Sequence, residues 1–327
     1  MLQLVRNNSP FTVLMLFIFT LLIKMQVLLH PAAPVALPGY YLYNHLLSFL
    51  HIFLGDGSFA YTLLGIVMLF GQALYLTAIT VRHRLFYKPT YIPAFCYLLL
   101  TSITPAFSYF SSAMIVVWLL LMAIDTMLFF PQSANPRKYI FNAGFFCALA
   151  ALFQFSAIAF VLLLVMALIL LRSFTLGEWM VGLLGIFTPV YFWAGILFLN
   201  DQLPQFKDWV QLGISLPKQI HNPVYLLGTF AAMSILVASG FYVMQGQMPK
   251  STIHVRRSWG VITSGWVISS IAAVFTGAEV SAAWLISLPA VALVIAQPMY
   301  LEKSKRFSNF IFYFSLLMVI FCQIAIK

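Results

Sequence analysis

The feature that most constrains this chain is the separation of its basic residues by long apolar stretches. Of the 17 Lys and Arg residues, 13 lie in six short clusters. The clusters are Arg6; Arg82, Arg84 and Lys88; Arg137 and Lys138; Arg172; Lys250, Arg256 and Arg257; and Lys303, Lys305 and Arg306. Lys and Arg are retained on the cytoplasmic side of bacterial-type membranes, so this alternation is typical of a multi-pass membrane protein.

Composition predicts a single integral membrane domain that covers residues 1–327. The chain is 63% apolar and only 7% charged, with a mean hydropathy of +0.99, whereas a soluble domain averages about 25% charged residues. The positive-inside rule explains the net charge of +10 and, with no basic aromatic face or Gly-rich phosphate loop in the sequence, nucleic acid is not an expected partner. The three cysteines lie in apolar segments without CxxC spacing, which predicts neither a metal or other cofactor site nor a disulfide framework.

The apolar stretches predict an all-α polytopic transmembrane bundle of about eleven spans, within a range of ten to twelve, with the N-terminus inside. A helix needs about 20 apolar residues to cross the hydrocarbon core. The predicted spans are 11–29, 58–80, 91–104, 112–130, two helices within 139–171, 178–199, 224–244, 258–276, 279–299 and 308–326. Breaks are expected at Thr104-Pro105 and at Gln154-Phe155-Ser156. Such short paired helices indicate that part of the bundle surrounds a pocket or a wet cleft.

The first outer loop, residues 30–57, contains a predicted helix from Tyr40 to Leu54 that is too short to span. Its aromatic residues suit the membrane interface, where ring bodies bury while polar tips stay wet. One interpretation is a helix that lies on the outer leaflet and plugs the bundle. The other is a helix that forms one wall of a substrate site, with Asp56 beside it.

The second outer loop, residues 200–223, is the densest collection of ionisable groups on the outer side. Its candidates for binding the phosphate of a lipid carrier are Lys207, Lys218 and His221, and Asp208 is a candidate base. The alternative is an ordinary solvated loop.

Charged residues within the predicted spans are functional candidates, because burying them in a membrane is costly. Lys24 lies near the end of the first span, so its stem is expected to reach the outer interface. Glu178 and Glu279 begin helices, where a carboxylate complements the helix dipole.

Asp125 lies deeper in its span and is the candidate for a buried ion pair. Its possible partners on the inner side are Arg82, Arg84 and Arg137. A proton-coupling role would need a second acidic or His residue at similar depth, and the other spans offer none. His83 and His254 lie in inner loops, where we expect them to be solvated.

Several stretches together resemble an uncharacterised family of multi-pass inner-membrane proteins from Bacteroidota. They are residues 4–10 (LVRNNSP), 29–31 (LHP), 82–88 (RHRLFYK), 91–95 (YIPAF), 142–145 (NAGF), 152–153 (LF), 171–174 (LRSF), 178–179 (EW) and 255–257 (VRR). The resemblance implies a cell-envelope protein of the inner membrane, and the family brings no established activity from which a catalytic residue could be transferred.

The layout is also similar to the N-terminal half of GT-C-type glycosyltransferases, multi-span enzymes that transfer sugars from polyprenyl-phosphate carriers at the outer leaflet. That resemblance implies an acidic residue in the first outer loop, acting as base or metal ligand. Residues 30–55 contain no Asp or Glu, and only Asp56 could substitute.

Three functions therefore remain open. The first is a non-catalytic subunit or accessory factor of a cell-envelope assembly, with membrane lipids and other membrane proteins as partners. The second is a GT-C-like transferase that acts on a polyprenyl-phosphate-linked sugar, with Asp56 or Asp208 as base. The third is a lipid or solute transporter, although the sequence has no visible inverted repeat.

Overall fold

The computed structural model describes residues 2–6, 9–211, 213, 223–277, 280–301 and 305–325, and helices are the only regular elements in these ranges. The helices are α1 Leu2–Arg6, α2 Pro10–Ile23, α3 Met25–Leu29, α4 Tyr41–Leu54, α5 Ser58–Arg82, α6 Ile92–Leu100, α7 Ser112–Leu128, α8 Pro136–Phe153, α9 Phe160–Leu171, α10 Leu176–Leu199, α11 Gln205–Trp209, α12 Pro223–Gln247, α13 Ile253–Val274, α14 Val280–Ala283, α15 Leu288–Tyr300 and α16 Lys305–Ala325. The prediction of an all-α chain is confirmed.

Five helices are long and apolar enough to cross a membrane, judged by length and composition alone. They are Ser58–Arg82, Leu176–Leu199, Leu226–Lys250, Ser281–Tyr300 and Arg306–Ile324. Shorter apolar helices cover Pro10–Ile23, Ser112–Leu128 and Phe155–Leu171. Helices thus occupy the predicted stretches, while the count of eleven crossings and their orientation stay predictions.

The break at Gln154 occurs where the sequence predicted it, while α6 ends at Leu100, four residues before the predicted break at Thr104-Pro105. Thr104, which precedes Pro105, has extended backbone angles, because the proline ring disfavours the helical region for the residue before it. Gln154 is also extended, and it separates α8 from a turn of 3₁₀ helix, Phe155–Ala159, that leads into α9. The predicted outer-loop helix is confirmed as α4, although its position at a membrane interface stays a prediction.

Contacts between distant parts of the chain bring the first two basic clusters to the end of α15. The Arg6 guanidinium donates to the carbonyl oxygens of Met299 and Leu301, at 2.8 and 3.0 Å from Nη2. The backbone N–H of Lys88 donates to the Tyr300 hydroxyl over 2.8 Å. The end of α1, the segment after α5 and the end of α15 therefore meet at one end, which we call the basic end.

The first predicted outer loop begins at the other end, which we call the loop end. The Tyr109 hydroxyl donates to the carbonyl of His30 over 2.9 Å, and Nε2 of Gln323 donates to the carbonyl of Ile23 over 2.8 Å. These contacts join the end of the first apolar region to the α6–α7 connection and to the last turns of α16. α2 and α16 thus both run from the basic end to the loop end.

α15 lies at the centre of the bundle and packs against α6, α12, α13 and α16. In the apolar stretch Ser281–Tyr300, which contains α15, 94% of the residues are buried, against 17% in the apolar stretch of α12. Close helix approach depends on glycine at several places. A Cβ on Gly240 of α12 would lie 2.4 Å from the Val294 carbonyl oxygen, and a Cβ on Gly185 of α10 would lie 2.4 Å from that of Phe141 in α8. Small residues of this kind let helix backbones approach closely in membrane bundles.

We expect Gly185→Ala to lower stability, because the new methyl group would meet the backbone of α8 and force the two helices apart, a change that typically costs about 1–3 kcal/mol. Gly195→Ala is the matched control on the same helix, since no atom lies within 4 Å of its Cβ position. Thermal unfolding in detergent should show a lower Tm for Gly185→Ala and no loss for Gly195→Ala. Equal Tm values for the two variants would contradict the close packing of α8 and α10.

Candidate functional site

Asp56, the candidate base of the first outer loop, follows α4 and is fully open to solvent. Its side chain is 96% exposed, and one carboxylate oxygen lies 2.7 Å from Nε2 of His51, which is itself 58% exposed. Ion pairs between such exposed groups are worth about 0–1 kcal/mol. The structure therefore places Asp56 on the surface, beside a histidine and outside any enclosed site.

Asp208 and Lys207 lie on α11 at the loop end, and both are exposed. The Tyr41 hydroxyl, at the start of α4, donates to Oδ2 of Asp208 over 3.1 Å. Partial burial and then the neighbouring carboxylate raise the pKa of Tyr41, so the phenol keeps its proton and remains a donor. The other two candidates for phosphate binding, Lys218 and His221, lie outside the described residues.

α4 separates the two candidate carboxylates. Asp208 contacts Tyr41 at one end of this helix, and Asp56 follows Leu54 at the other end. The helix has 14 residues, which corresponds to about 20 Å at 1.5 Å per residue. The structure does not bring Asp56 and Asp208 together on one substrate, and Lys207 belongs to the Asp208 end.

α11 packs over the break between α8 and α9. The Trp209 indole N–H donates to the carbonyl of Ala151 over 3.0 Å, and its ring centroid lies 4.9 Å from that of Phe155 and 5.3 Å from that of Trp193. The first part of the second outer loop is therefore a docked element, and the interpretation of it as an ordinary solvated loop was wrong for Trp209.

Asp125 is the centre of a polar cluster near the basic end. Of the three arginines that could pair with it, the structure places Arg82 on Oδ2, where the Tyr75 hydroxyl also donates over 3.0 Å. Nε2 of His83 lies 2.8 Å from Oδ1. Three side chains of α5 and its C-cap thus hold one carboxylate of α7, which fixes the two helices at this depth.

His83 is buried, and the expectation that it is solvated was wrong. Its side chain has no exposed surface, and its ring lies 4.6 Å from the Phe129 ring in an edge-on arrangement. Within the described part of the chain, Nδ1 is buried without a hydrogen-bond partner. Asp125 therefore does have a histidine at its own depth. His254 is half-buried, and its Nε2 lies 2.9 Å from Nε2 of Gln132.

We expect Asp125→Asn to destabilise the fold by about 1–3 kcal/mol, because it would remove the charged acceptor beside the buried His83 and weaken the contact with Arg82, whose side chain is 44% exposed. Tyr75→Phe removes one hydrogen bond to the same carboxylate and should cost about 1 kcal/mol. Thermal unfolding and membrane abundance measure both effects, with exposed Asp201→Asn as the control. Normal stability of Asp125→Asn combined with complete loss of function would instead indicate a proton-coupling carboxylate.

Arg172 and Glu178 form a second ion pair, between the end of α9 and the first turn of α10. Nη2 of Arg172 lies 2.6 Å from Oε1 of Glu178, and Nε lies 3.2 Å from Oε2. This two-point contact closes the short connection between the helices. Glu178 therefore has an ion-pair partner in addition to its favourable place at a helix start, and Glu279 lies outside the described residues.

Lys24 turns into the bundle, and the prediction that its side chain reaches the outer interface was wrong. Only 1% of the residue is exposed. Its ammonium nitrogen lies 2.7 Å from Oγ of Ser108 and 3.1 Å from the carbonyl oxygen of Thr101. Both partners belong to the interrupted segment between α6 and α7, which supplies a hydroxyl oxygen and a backbone carbonyl oxygen to the ammonium group.

A buried polar cluster surrounds the second helix break. Nε2 of Gln154 donates to Oγ of Ser156 over 2.9 Å and to Oγ1 of Thr276 over 2.8 Å, and those two hydroxyls lie 2.8 Å apart. The side chain of Ser112 approaches Oε1 of Gln154 at 3.4 Å. The break predicted from the sequence is thus hydrogen-bonded to α7 and to the end of α13.

Comparison of the chain with protein-family models, with curated proteins and with solved structures finds no match. Within the described ranges, no group of three or more His, Cys, Asp or Glu side chains is placed to hold a metal ion. The placement of these polar groups is therefore the main structural indication of function.

Proposed function

We propose that this chain is a multi-pass protein of the bacterial inner membrane that serves as a non-catalytic subunit or accessory factor of a cell-envelope assembly. The observation that supports this most directly is the dispersal of its acidic groups. Among the described residues, Asp125 and Glu178 are held in ion pairs with arginines, while Asp56 and Asp208 lie at opposite ends of α4. Acid–base chemistry on one substrate generally needs converging groups, and these do not converge.

The sides of the bundle support membrane lipids and other membrane proteins as partners. α10 and α12 are peripheral helices, with 28% and 17% of their apolar stretches buried. Their outward surfaces carry large exposed apolar or aromatic side chains: Phe187, Tyr191, Phe192, Phe198, Phe230 and Tyr242. In a bilayer such faces contact lipid or the helices of another membrane protein.

The proposed orientation has the basic end in the cytoplasm and about eleven crossings. The positive-inside rule supports it, because two basic clusters, that of Arg6 and that of Arg82, Arg84 and Lys88, meet at the end of α15. The exposed apolar residues of α4 at the loop end, namely Phe49, Ile52 and Phe53, support placing this helix on the outer leaflet.

Labelling of single cysteines in spheroplasts tests the orientation. The native cysteines, Cys96, Cys147 and Cys322, are buried, so the wild-type chain provides a low background. With a membrane-impermeant maleimide, Asp56→Cys should react in intact spheroplasts, and Tyr87→Cys, whose parent residue is 92% exposed near the basic end, should react only after lysis. Labelling of Tyr87→Cys alone in intact spheroplasts would reverse the proposed orientation.

Native mass spectrometry of the chain, gently extracted from its own membrane, tests the proposed role. We expect stoichiometric protein partners with ordinary phospholipid, and the same partners on Asp56→Asn, because this exposed carboxylate has no part in an accessory role. Asp201→Asn is the matched control at another exposed carboxylate.

A different result would favour the transferase or a lipid flippase. That result is an isolated chain carrying a polyprenyl phosphate or sugar-lipid. Loss of turnover of such a lipid in Asp56→Asn, with turnover retained in Asp201→Asn, would identify the GT-C-like transferase and overturn the accessory role.

A further inference from the structure

Arg84 occupies a backbone position that usually belongs to glycine. It follows the C-cap of α5, where the N–H of Leu85 donates to the carbonyl of Thr80 over 3.0 Å and the N–H of Arg84 donates to that of Val81 over 3.3 Å. Helices that end with this pair of hydrogen bonds usually carry glycine, and sometimes asparagine, at the left-handed position after the C-cap. Arg84 holds that position with a φ of 52°, which is sterically unfavourable for a residue with a Cβ. Asp201, the other described non-glycine residue with a positive φ, is of a type that adopts this conformation more readily.

No contact within the described part of the chain explains why an arginine stands at this position. The side chain of Arg84 is exposed and has no hydrogen bond or ion pair there. The buried carboxylates Asp125 and Glu178 are paired with other arginines, Arg82 and Arg172. A residue that keeps an unfavourable backbone conformation without an internal partner points to a function outside the fold.

Two further exposed arginines, Arg256 and Arg257, lie on the adjoining segment at the start of α13. The ring of Phe86, two residues after Arg84, lies 6.1 Å from the ring of Trp259, two residues after Arg257. Neither of these arginine side chains has a hydrogen bond or ion pair with a described residue. The three arginines therefore belong to one region of the basic end, which we call the arginine surface.

The arginine surface adjoins apolar groups that suit a membrane. α5 is long and apolar enough to cross a bilayer, and Arg84 follows its end by two residues. Ile253 is 67% exposed, and it lies three and four residues before the two arginines of α13, on the same face of that helix. Basic side chains beside exposed apolar groups at the end of a crossing helix are typical of the level of the lipid headgroups.

We propose that the arginine surface binds the phosphodiester headgroup of an anionic phospholipid. A planar guanidinium group matches the geometry of phosphate with two parallel hydrogen bonds, and basic groups at the cytoplasmic ends of membrane helices bind such headgroups. An acidic protein segment also complements the charge, but the exposed Ile253 and the place of Arg84 directly after a crossing helix favour a lipid. The site needs a chain that is embedded in a membrane, and it does not depend on the accessory role.

Lipid titration of the full chain in mild detergent, read by native mass spectrometry, tests the site. The probes are dioleoyl phosphatidylglycerol, which is anionic, and dioleoyl phosphatidylcholine, which has the same acyl chains and no net charge. We expect the wild type to bind phosphatidylglycerol more tightly by about tenfold or more, and Arg84→Gly to weaken that binding about fivefold, the usual effect of one basic side chain beside anionic lipid. Arg256→Gln combined with Arg257→Gln should weaken it further. Lys207→Gln removes the same charge at an exposed lysine of the loop end and should bind as the wild type does.

Thermal unfolding without added lipid separates a binding role from a structural one. The Tm of Arg84→Gly should equal or exceed that of the wild type, because glycine adopts the left-handed conformation without the steric cost. Added phosphatidylglycerol should then raise the Tm of the wild type more than that of Arg84→Gly. A lower Tm of Arg84→Gly in the absence of lipid would show that the arginine stabilises the fold, and would overturn the proposal.

The binding data can overturn the proposal in three further ways. Equal affinity of the wild type for the two lipids would do so, and so would wild-type affinity of Arg84→Gly for phosphatidylglycerol. Binding of a short polyglutamate peptide that phosphatidylglycerol does not displace, lost in Arg84→Gly, would assign the arginine surface to an acidic protein segment instead.

Discussion

A backbone or side-chain polar group left unpaired in an apolar interior costs roughly 2–7 kcal/mol, and the two interrupted helices of this chain create such groups. The arrangement around them follows from that cost. Lys24 comes from the first apolar region to the carbonyl of Thr101, and Gln154 collects the hydroxyls of Ser156 and Thr276 from two other segments. Each break is therefore also a junction, where three or more segments are tied together at a defined depth.

The ion pair of Asp125 performs the same task at the other end of the bundle. Its partners all lie between Tyr75 and His83, so the contacts of this carboxylate join α7 to α5 and to no other helix. Buried ion pairs contribute little net stability once desolvation is counted, but removing one partner is strongly destabilising. Their value in this bundle lies in fixing the positions of the helices.

The sequence predicted the helices from the lengths of the apolar runs and the breaks from Pro105 and the Gln154 region, because both depend on neighbouring residues. It also offered three arginines as partners of Asp125, since a buried carboxylate needs a positive charge, but it could not choose Arg82 among them. The environments of Lys24 and His83 depend on residues far away in the chain, 77 and 42 positions distant. Because Lys24 and His83 lie near or just beyond the end of a predicted span, the sequence predicted that their side chains would be exposed. The one available signal was the group of hydroxyl residues at 101, 102, 104 and 108, which is unusual between two apolar spans.

The central position of α15 affects how the bundle is assembled. Chains are synthesised from the N-terminus, and early segments begin to pack before late ones exist. α15 is buried among α6, α12, α13 and α16, yet 287 residues precede its first position, Leu288. α6, α12 and α13 therefore enter the membrane with the surfaces that will contact α15 still uncovered. The interior there is closed only when α15 moves between α6, α12 and α13, so packing of the bundle has to wait until α15 has been made.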